Sequence, residues 1–311
     1  MNRLPIALAI ALATPAAIAD LLVTEVDGPV RSASAPGKMQ TRVATLDQIG
    51  NGSELVLATN SRLIVVDLAN GNEYALRGEE RYVVTPAGPK SANGNIATAT
   101  PLPEKNLPAV RISGRKASQA TMIMREMEPP KQPVQFSLLQ EEEFRQGIAP
   151  IPGVLSLLAP LPGETVLEPP QLRWTKQEGA FLYRLTVSHP DSGDHWETLT
   201  PTLEANILRT FPLSPGESYQ WRVEALADER TLSSAEASFS IASAETQSLL
   251  ARLKPAPDAP FARRVLYAAQ VEQAGARSLA RTLWQALAGE RRQDPVLRSR
   301  ANESESELPL P

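Results

Sequence analysis

The feature that most constrains this chain is a regular succession of short apolar runs separated by turn-forming residues. Residues 65–84 read VVDLANGNEYALRGEERYVV, in which ANGN and RGEE separate three runs rich in Val, Leu and Tyr. Runs of this length with Asn-Gly between them are typical of strands joined by hairpins. Tyr74 and Leu76 alternate with polar or small residues, which predicts one buried and one exposed face. We therefore predict a mainly β multidomain protein, with the centre of a β-meander at this point.

The region with this pattern resembles a known family. Three elements of the family's pattern occur here in order: an opening V-x-G-x-V (Val26, Gly28 and Val30), an entry strand (residues 49–57) and a hairpin (residues 67–76). Together they resemble the FecR-like periplasmic β domain. The resemblance implies a β domain of the bacterial envelope, to which we assign residues 20–125. In many proteins of this kind the domain follows cytoplasmic helices and a membrane-spanning segment, which this sequence does not show.

A second series of predicted strands covers residues 153–243, at a spacing of 8–14 residues that is typical of a β-sandwich. The segment from Leu213 to Val223 reads LSPGESYQWRV, which is similar to the late-strand segment of fibronectin type III domains. The resemblance implies that the hydroxyl of Tyr219 binds the backbone upstream in a tyrosine corner. The predicted structural core of this sandwich consists of Trp174, Tyr183, Tyr219 and Trp221.

From residue 244 the apolar period changes to that of helices. We predict helices over residues 245–254, 261–275 and 276–290, and a C-terminal helical hairpin domain over residues 244–298. Asp258 is the expected cap of the second helix and Gly275 its end.

The helix pair at 261–289 resembles a single tetratricopeptide-like unit. Arrays of such units need about three repeats to bury a continuous core. The resemblance therefore implies that the pair docks on the sandwich, on a second copy in a homodimer, or on a partner. Residues 299–311 have few apolar side chains and are predicted to form a disordered tail.

The first nineteen residues are typical of a signal peptide. MNR is followed by the apolar run LPIALAIALA and by a small-residue site, so that cleavage is expected between Ala19 and Asp20. The alternative is a membrane anchor, but the run is shorter than the ~20 residues that a spanning helix needs. We expect a periplasmic or secreted protein without membrane insertion.

Between the β regions the chain is rich in proline, which makes up 28 of its 311 residues, about twice the usual ~5%. We assign residues 126–152 to a Pro-rich linker. Just before it, Arg111, Arg115 and Lys116 form a basic cluster. This cluster is either a solvated loop or a candidate interaction patch for an anionic partner.

The composition excludes several kinds of chemistry. The net charge of −4 gives no field that attracts nucleic acid, and the absence of Cys excludes disulfides and thiolate sites. His189 and His195 lie with two aspartates in HPDSGDH, which is either a metal site or a turn, and we interpret it as a turn because Pro, Asp, Ser and Gly favour turns. No catalytic motif occurs. We therefore predict a protein that is not an enzyme and has no catalytic, metal-binding or cofactor-binding residues.

These features favour a non-enzymatic adaptor or sensor-associated scaffold that binds an envelope protein in the periplasm. Two alternatives stay open. The first is a carbohydrate or peptidoglycan binder, for which Trp196, beside the HPDSGDH turn, is the candidate exposed aromatic. The second is a signalling regulator that works with a separate membrane subunit.

Overall fold

The structure, a computed structural model, describes residues 21–110, 155–207, 211–228 and 230–306. These residues are mainly β, as predicted, with helices near the C-terminus. The chain divides into two compact units. The described part of the first unit comprises residues 21–43 and 47–101, and the second comprises residues 44–46 and the described residues from 102 onward.

Two five-stranded sheets form the described part of the first unit. Its strands are β1 (Leu21–Asp27), β2 (Val30–Ala33), β3 (Thr41–Arg42), β4 (Gln48–Ile49), β5 (Glu54–Leu57), β6 (Arg62–Asp67), β7 (Asn72–Arg77), β8 (Arg81–Thr85), β9 (Gly88–Ser91) and β10 (Ala99–Pro101). One sheet has the order β10-β7-β6-β1-β4 and the other β3-β2-β5-β8-β9. Side chains of both sheets meet in one apolar core that includes Leu21, Leu55, Leu63, Tyr74 and Val84.

The hairpin predicted at ANGN is confirmed. β6 and β7 pair in antiparallel register from Arg62 opposite Arg77 to Asp67 opposite Asn72. Asp67 is buried, and its carboxylate accepts hydrogen bonds of 3.0 Å from the backbone N–H groups of Ala69 and Asn70. This aspartate therefore fixes the turn through its own carboxylate.

The meander predicted to continue through RGEE is wrong. β8 lies in the other sheet, where Tyr82 is opposite Leu55 of β5. Tyr74 and Leu76 of β7 and Tyr82 and Val84 of β8 are all buried in the same core. The chain therefore crosses from one sheet to the other, and both strands contribute to the core from their own sheets.

The second unit contains a three-stranded and a five-stranded sheet in its described residues. The strands are β11 (Leu157–Ala159), β12 (Glu164–Val166), β13 (Gln171–Trp174), β14 (Leu182–Ser188), β15 (His195–Thr200), β16 (Glu204–Asn206), β17 (Ser218–Ala227) and β18 (Arg230–Ile241). The orders are β11-β13-β16 and β12-β18-β17-β14-β15. β12 pairs parallel to β18, and one apolar cluster draws side chains from both sheets.

Four helices follow the sandwich in the described residues: α1 (Ala244–Leu253), α2 (Phe261–Gln273), α3 (Arg277–Glu290) and α4 (Pro295–Ser306). Gly275 has a φ of +83° just after α2, so it ends that helix as predicted. The predicted cap at Asp258 is wrong, because the residue that precedes α2 is Pro260, which makes no side-chain cap.

The tail predicted to be disordered from residue 299 is helical as far as Ser306. Leu297 of α4 is fully buried, and Arg300 is 7% exposed. The guanidinium of Arg300 donates to the carboxylate of Glu272 in α2 at 2.8 Å. Tertiary contacts of a few residues therefore outweigh the polar composition of this segment.

Residues 102–110 group with the second unit rather than with the first, to which the sequence assigned them. The side-chain amide of Gln270 donates to the carbonyl oxygen of Pro108 at 3.0 Å, and Arg252 forms an ion pair with Glu104. Leu102, Leu107 and Val110 are buried. The compact first unit thus ends at residue 101, well before the predicted boundary at 125.

Candidate binding groove

The HPDSGDH segment forms the turn between β14 and β15. The N–H of His189 donates to the carbonyl of Asp194 at 2.9 Å, and the Nδ1 of its ring accepts from the N–H groups of Asp191 and Ser192 at 3.2 Å each. The histidine ring thus binds the turn itself. Among the described residues no group of three His, Cys, Asp or Glu is placed to hold a metal ion.

The four aromatic residues predicted to form the sandwich core lie together. Trp174, Tyr183, Tyr219 and Trp221 are each no more than 2% exposed and belong to one cluster. The rings of Trp174 and Tyr183 are 5.6 Å apart between centroids. The Tyr219 hydroxyl accepts from the N–H of Ser214 at 2.7 Å.

Trp196, the candidate exposed aromatic, is only 8% exposed and packs in the same core. It lies directly opposite Val187 on the neighbouring antiparallel strand. Residues directly opposite each other in such a pair point to the same face, and Val187 points inward. This position is therefore closed to a ligand. The basic cluster of Arg111, Arg115 and Lys116 and the cleavage site at Ala19 and Asp20 lie outside the described residues.

A buried carboxylate joins the sandwich to the helices. Glu164 of β12 is 2% exposed, and its Oε1 accepts from the N–H of Ser278 at 2.6 Å. Its Oε2 accepts from the Ser278 hydroxyl at 2.9 Å and from the N–H of Leu161 at 2.8 Å. Ala276, which precedes α3, makes no side-chain cap. Glu164 therefore caps α3 from another element and complements the positive end of its dipole.

Next to this carboxylate lies an open groove with a volume of ≈ 590 Å³, which we call the strand–helix groove. Its walls come from β12 and the two residues after it, from α1 and Lys254 just after it, from Tyr267 of α2, and from the start of α3. The apolar part of the lining consists of Val166, Leu167, Leu250, Ala251, Ala276 and Leu279. Leu279 is 39% exposed. The volume is within the range of about 300–1,000 Å³ that is usual for ligand sites.

Polar groups without partners also line the groove. Tyr267 of α2 is 7% exposed, and its hydroxyl makes no hydrogen bond with any described residue. Burial raises the pKa of this hydroxyl, which keeps it a neutral donor. Lys254 and Glu168 are exposed at the groove and have no ion-pair partner in the described part of the chain.

The groove brings several kinds of side chain together. Among the lining residues, Ser278 is the one whose hydroxyl forms a hydrogen bond with a carboxylate, that of Glu164. Neither histidine lines the groove, so Ser278 has no imidazole base there. What the groove offers is apolar walls, a cation, a carboxylate and a phenolic donor.

Neither Glu164 nor the groove was predicted from the sequence. The stretch GETVLEPP, which contains β12, shows no alternation of apolar and polar residues and is not among the predicted strands. The one available sign was a glutamate inside a short apolar run, which is a weak indication on its own.

Comparisons with known proteins identify no family for this chain. No protein-family model matches the chain, and no curated protein matches it. Within the described residues, no helix is long and apolar enough to cross a membrane.

Proposed function

We propose that this chain is a non-enzymatic adaptor of the bacterial cell envelope that binds a segment of a protein partner in the strand–helix groove. The observation that carries the proposal is the lining of the groove, where partly exposed apolar walls meet polar groups that have no partner among the described residues. A groove of this kind gains apolar burial and hydrogen bonds when it is filled.

The proposal includes export of the chain, with cleavage between Ala19 and Asp20, and activity in the periplasm or after secretion. Its basis is the order of charge, apolar run and small residues at the N-terminus. Sequencing the N-terminus of the chain recovered from the periplasm tests it. A mature chain that begins at Asp20 supports export, and an uncleaved cytoplasmic chain contradicts it.

We also propose the finer family assignments. The FecR-like assignment of the first unit is supported by Gly28, whose φ of +79° suits the glycine of the V-x-G-x-V element. The fibronectin type III-like assignment is supported by the three- and five-stranded sheets and by the bond from Ser214 to the Tyr219 hydroxyl. The tetratricopeptide-like assignment of the helix pair is supported by the short connection through Gly275.

A carbohydrate-binding function has less support. It depends on a row of exposed aromatic rings, and all four tryptophans of the chain are at most 8% exposed. Among the described aromatic residues Phe181 is 76% exposed, but one exposed ring in this part of the chain is not a platform. The signalling alternative with a separate membrane subunit stays a prediction, as does a homodimer through the helices.

Photocrosslinking tests the adaptor function. A benzophenone amino acid in place of Leu279 lies in the groove, and one in place of Gln285, exposed on the same helix but outside the groove lining, is the matched control. We expect one envelope protein to be crosslinked at position 279 only, and identified by mass spectrometry. The adduct should be lost in Ala251→Arg, which puts a large charge into the groove at an exposed position.

The identified protein is then purified and titrated against the full chain by calorimetry. Direct binding that Ala251→Arg weakens supports the adaptor function. Equal crosslinking at positions 279 and 285, or an adduct that survives Ala251→Arg, contradicts it.

A further inference from the structure

We infer that the strand–helix groove selects a peptide segment in which apolar side chains lie next to an acidic residue. This inference rests on the proposed function and adds the chemistry of the partner segment. It is carried by the arrangement of apolar, cationic and hydrogen-bonding groups in one groove.

The apolar walls set the first requirement. Val166 and Leu167 are half-buried, and Leu279 on the facing helix is 39% exposed. When a Leu or Val side chain of the partner enters the groove, its own apolar surface and that of the groove walls are both removed from water. An apolar residue is therefore the anchor of the segment.

The donors set the second requirement. Tyr267 lines the groove and is 7% exposed. Its hydroxyl has no hydrogen-bond partner among the described residues. Lys254 adds an ammonium group at the groove that is likewise unpaired within the described chain. A carboxylate suits either group, because it accepts a hydrogen bond from a hydroxyl and carries the charge opposite to that of an ammonium group.

The acceptors distinguish a peptide from a fatty acid. The side-chain amide of Gln247 donates to the carbonyl of Ala242 at 2.9 Å, which leaves its oxygen as an acceptor in the groove. Glu168 adds an exposed carboxylate. These acceptors suit N–H donors, which the backbone of a peptide has and a fatty acid lacks.

A charge-swap experiment tests the inference on the full chain. The probes are fluorescein-labelled peptides with amidated C-termini and the sequence Gly-Ser-Leu-Val-X-Ser-Gly, where X is Asp, Asn or Lys. Binding is measured by fluorescence anisotropy. We expect the Asp peptide to bind at least tenfold more tightly than the Lys peptide, with the Asn peptide between them.

The variants assign this preference to the groove. Lys254→Glu, at an exposed position, should reverse the order of the Asp and Lys peptides. Lys176→Glu is the matched control, since Lys176 is exposed and does not line the groove, and it should leave the order unchanged. Tyr267→Phe removes only the hydroxyl and should weaken the Asp peptide more than the Lys peptide.

Failure has distinct forms. Equal affinities of the Asp and Lys peptides, an order that Lys254→Glu does not reverse, or no peptide binding each overturn the inference. The inference is also overturned if decanoic acid displaces the bound Asp peptide at a lower concentration than the unlabelled Asp peptide does. If a partner is still crosslinked at position 279, the adaptor function stands while its peptide chemistry is wrong; if no partner is crosslinked, the adaptor function fails as well.

Discussion

Two glycines of the first unit share a left-handed backbone but differ in their surroundings. A Cβ on Gly28, at φ +79°, would lie 2.7 Å from the Ser61 hydroxyl oxygen and 3.1 Å from the Ser61 Cα. A Cβ on Gly52, at φ +83°, meets nothing within 4 Å. The pair therefore separates backbone strain from steric overlap.

We predict that Gly28→Ala destabilises the protein more than Gly52→Ala. The left-handed conformation alone costs a residue with a Cβ about 1–2 kcal/mol, and Gly28→Ala adds the overlap with Ser61. Urea unfolding of the full-length variants measures both free energies. Equal losses contradict the steric role of Ser61.

Tyr82 gives the first unit a sensitivity to alkaline pH. Its hydroxyl donates to the Glu80 carboxylate at 2.8 Å. Burial first, and then this hydrogen bond and the charge of Glu80, raise the pKa of Tyr82 to about 12. An unfolded tyrosine loses its proton near pH 10. Between these values the unfolded state binds fewer protons, so the free energy of unfolding falls as pH rises.

We therefore expect Tyr82→Phe to make stability less dependent on pH between about 10 and 12. Below pH 9 the Tyr82 hydroxyl keeps its proton in the folded and the unfolded state. The free energy of unfolding should then depend on pH in the same way for the parent and the variant. Thermal unfolding at several pH values, followed by circular dichroism, measures the slopes. Equal slopes for the variant and the parent in this window contradict the assignment.

At the scale of elements, Glu164 holds helix α3 to the sandwich. We predict that Glu164→Ala lowers the free energy of unfolding by about 1.5–3 kcal/mol, the usual contribution of hydrogen bonds to a charged group. Glu168→Ala, at an exposed position of the same groove, is the control and should change stability by less than about 0.5 kcal/mol. Urea unfolding compares them. A loss in Glu168→Ala as large as in Glu164→Ala argues against the buried cap.

Local pattern predicted the elements that depend on neighbouring residues. The Asn-Gly turn and the alternation around Tyr74 determine the β6–β7 hairpin, and Gly275 determines where α2 ends. The alternation of Tyr82 and Val84 is the same whether β8 continues a hairpin or crosses to a second sheet. Sequence alone therefore could not distinguish these two arrangements.

The candidate site depended on contacts between distant residues. Trp196 is buried because of its position opposite Val187, and α4 is joined to α2 by the bond from Arg300 to Glu272. The groove combines residues near 166, 254, 267 and 279. No local spacing shows that these positions meet, so the groove could not be predicted.

At the scale of the whole molecule, each compact unit has its own apolar core. We expect two cooperative transitions in calorimetry of the full chain, since a core of its own is what makes a unit unfold as one. Gly28→Ala should lower the temperature of one transition and Glu164→Ala that of the other. A single transition that both variants shift by similar amounts contradicts two independent cores.

The grouping of residues 102–110 with the helices has a consequence for the order of folding during synthesis. Their partners Arg252 and Gln270 lie 148 and 162 positions further along the chain. At a synthesis rate of about 5–20 residues per second, these residues wait roughly 7–32 s for their partners. The first unit has all of its described strands by residue 101, whereas the second reaches its final form only after α2 has been made. In that interval Glu104 and Pro108 are without the partners that they bond in the folded protein, so a chaperone that binds the nascent chain should be found at residues 102–110, which include the apolar Leu102, Leu107 and Val110.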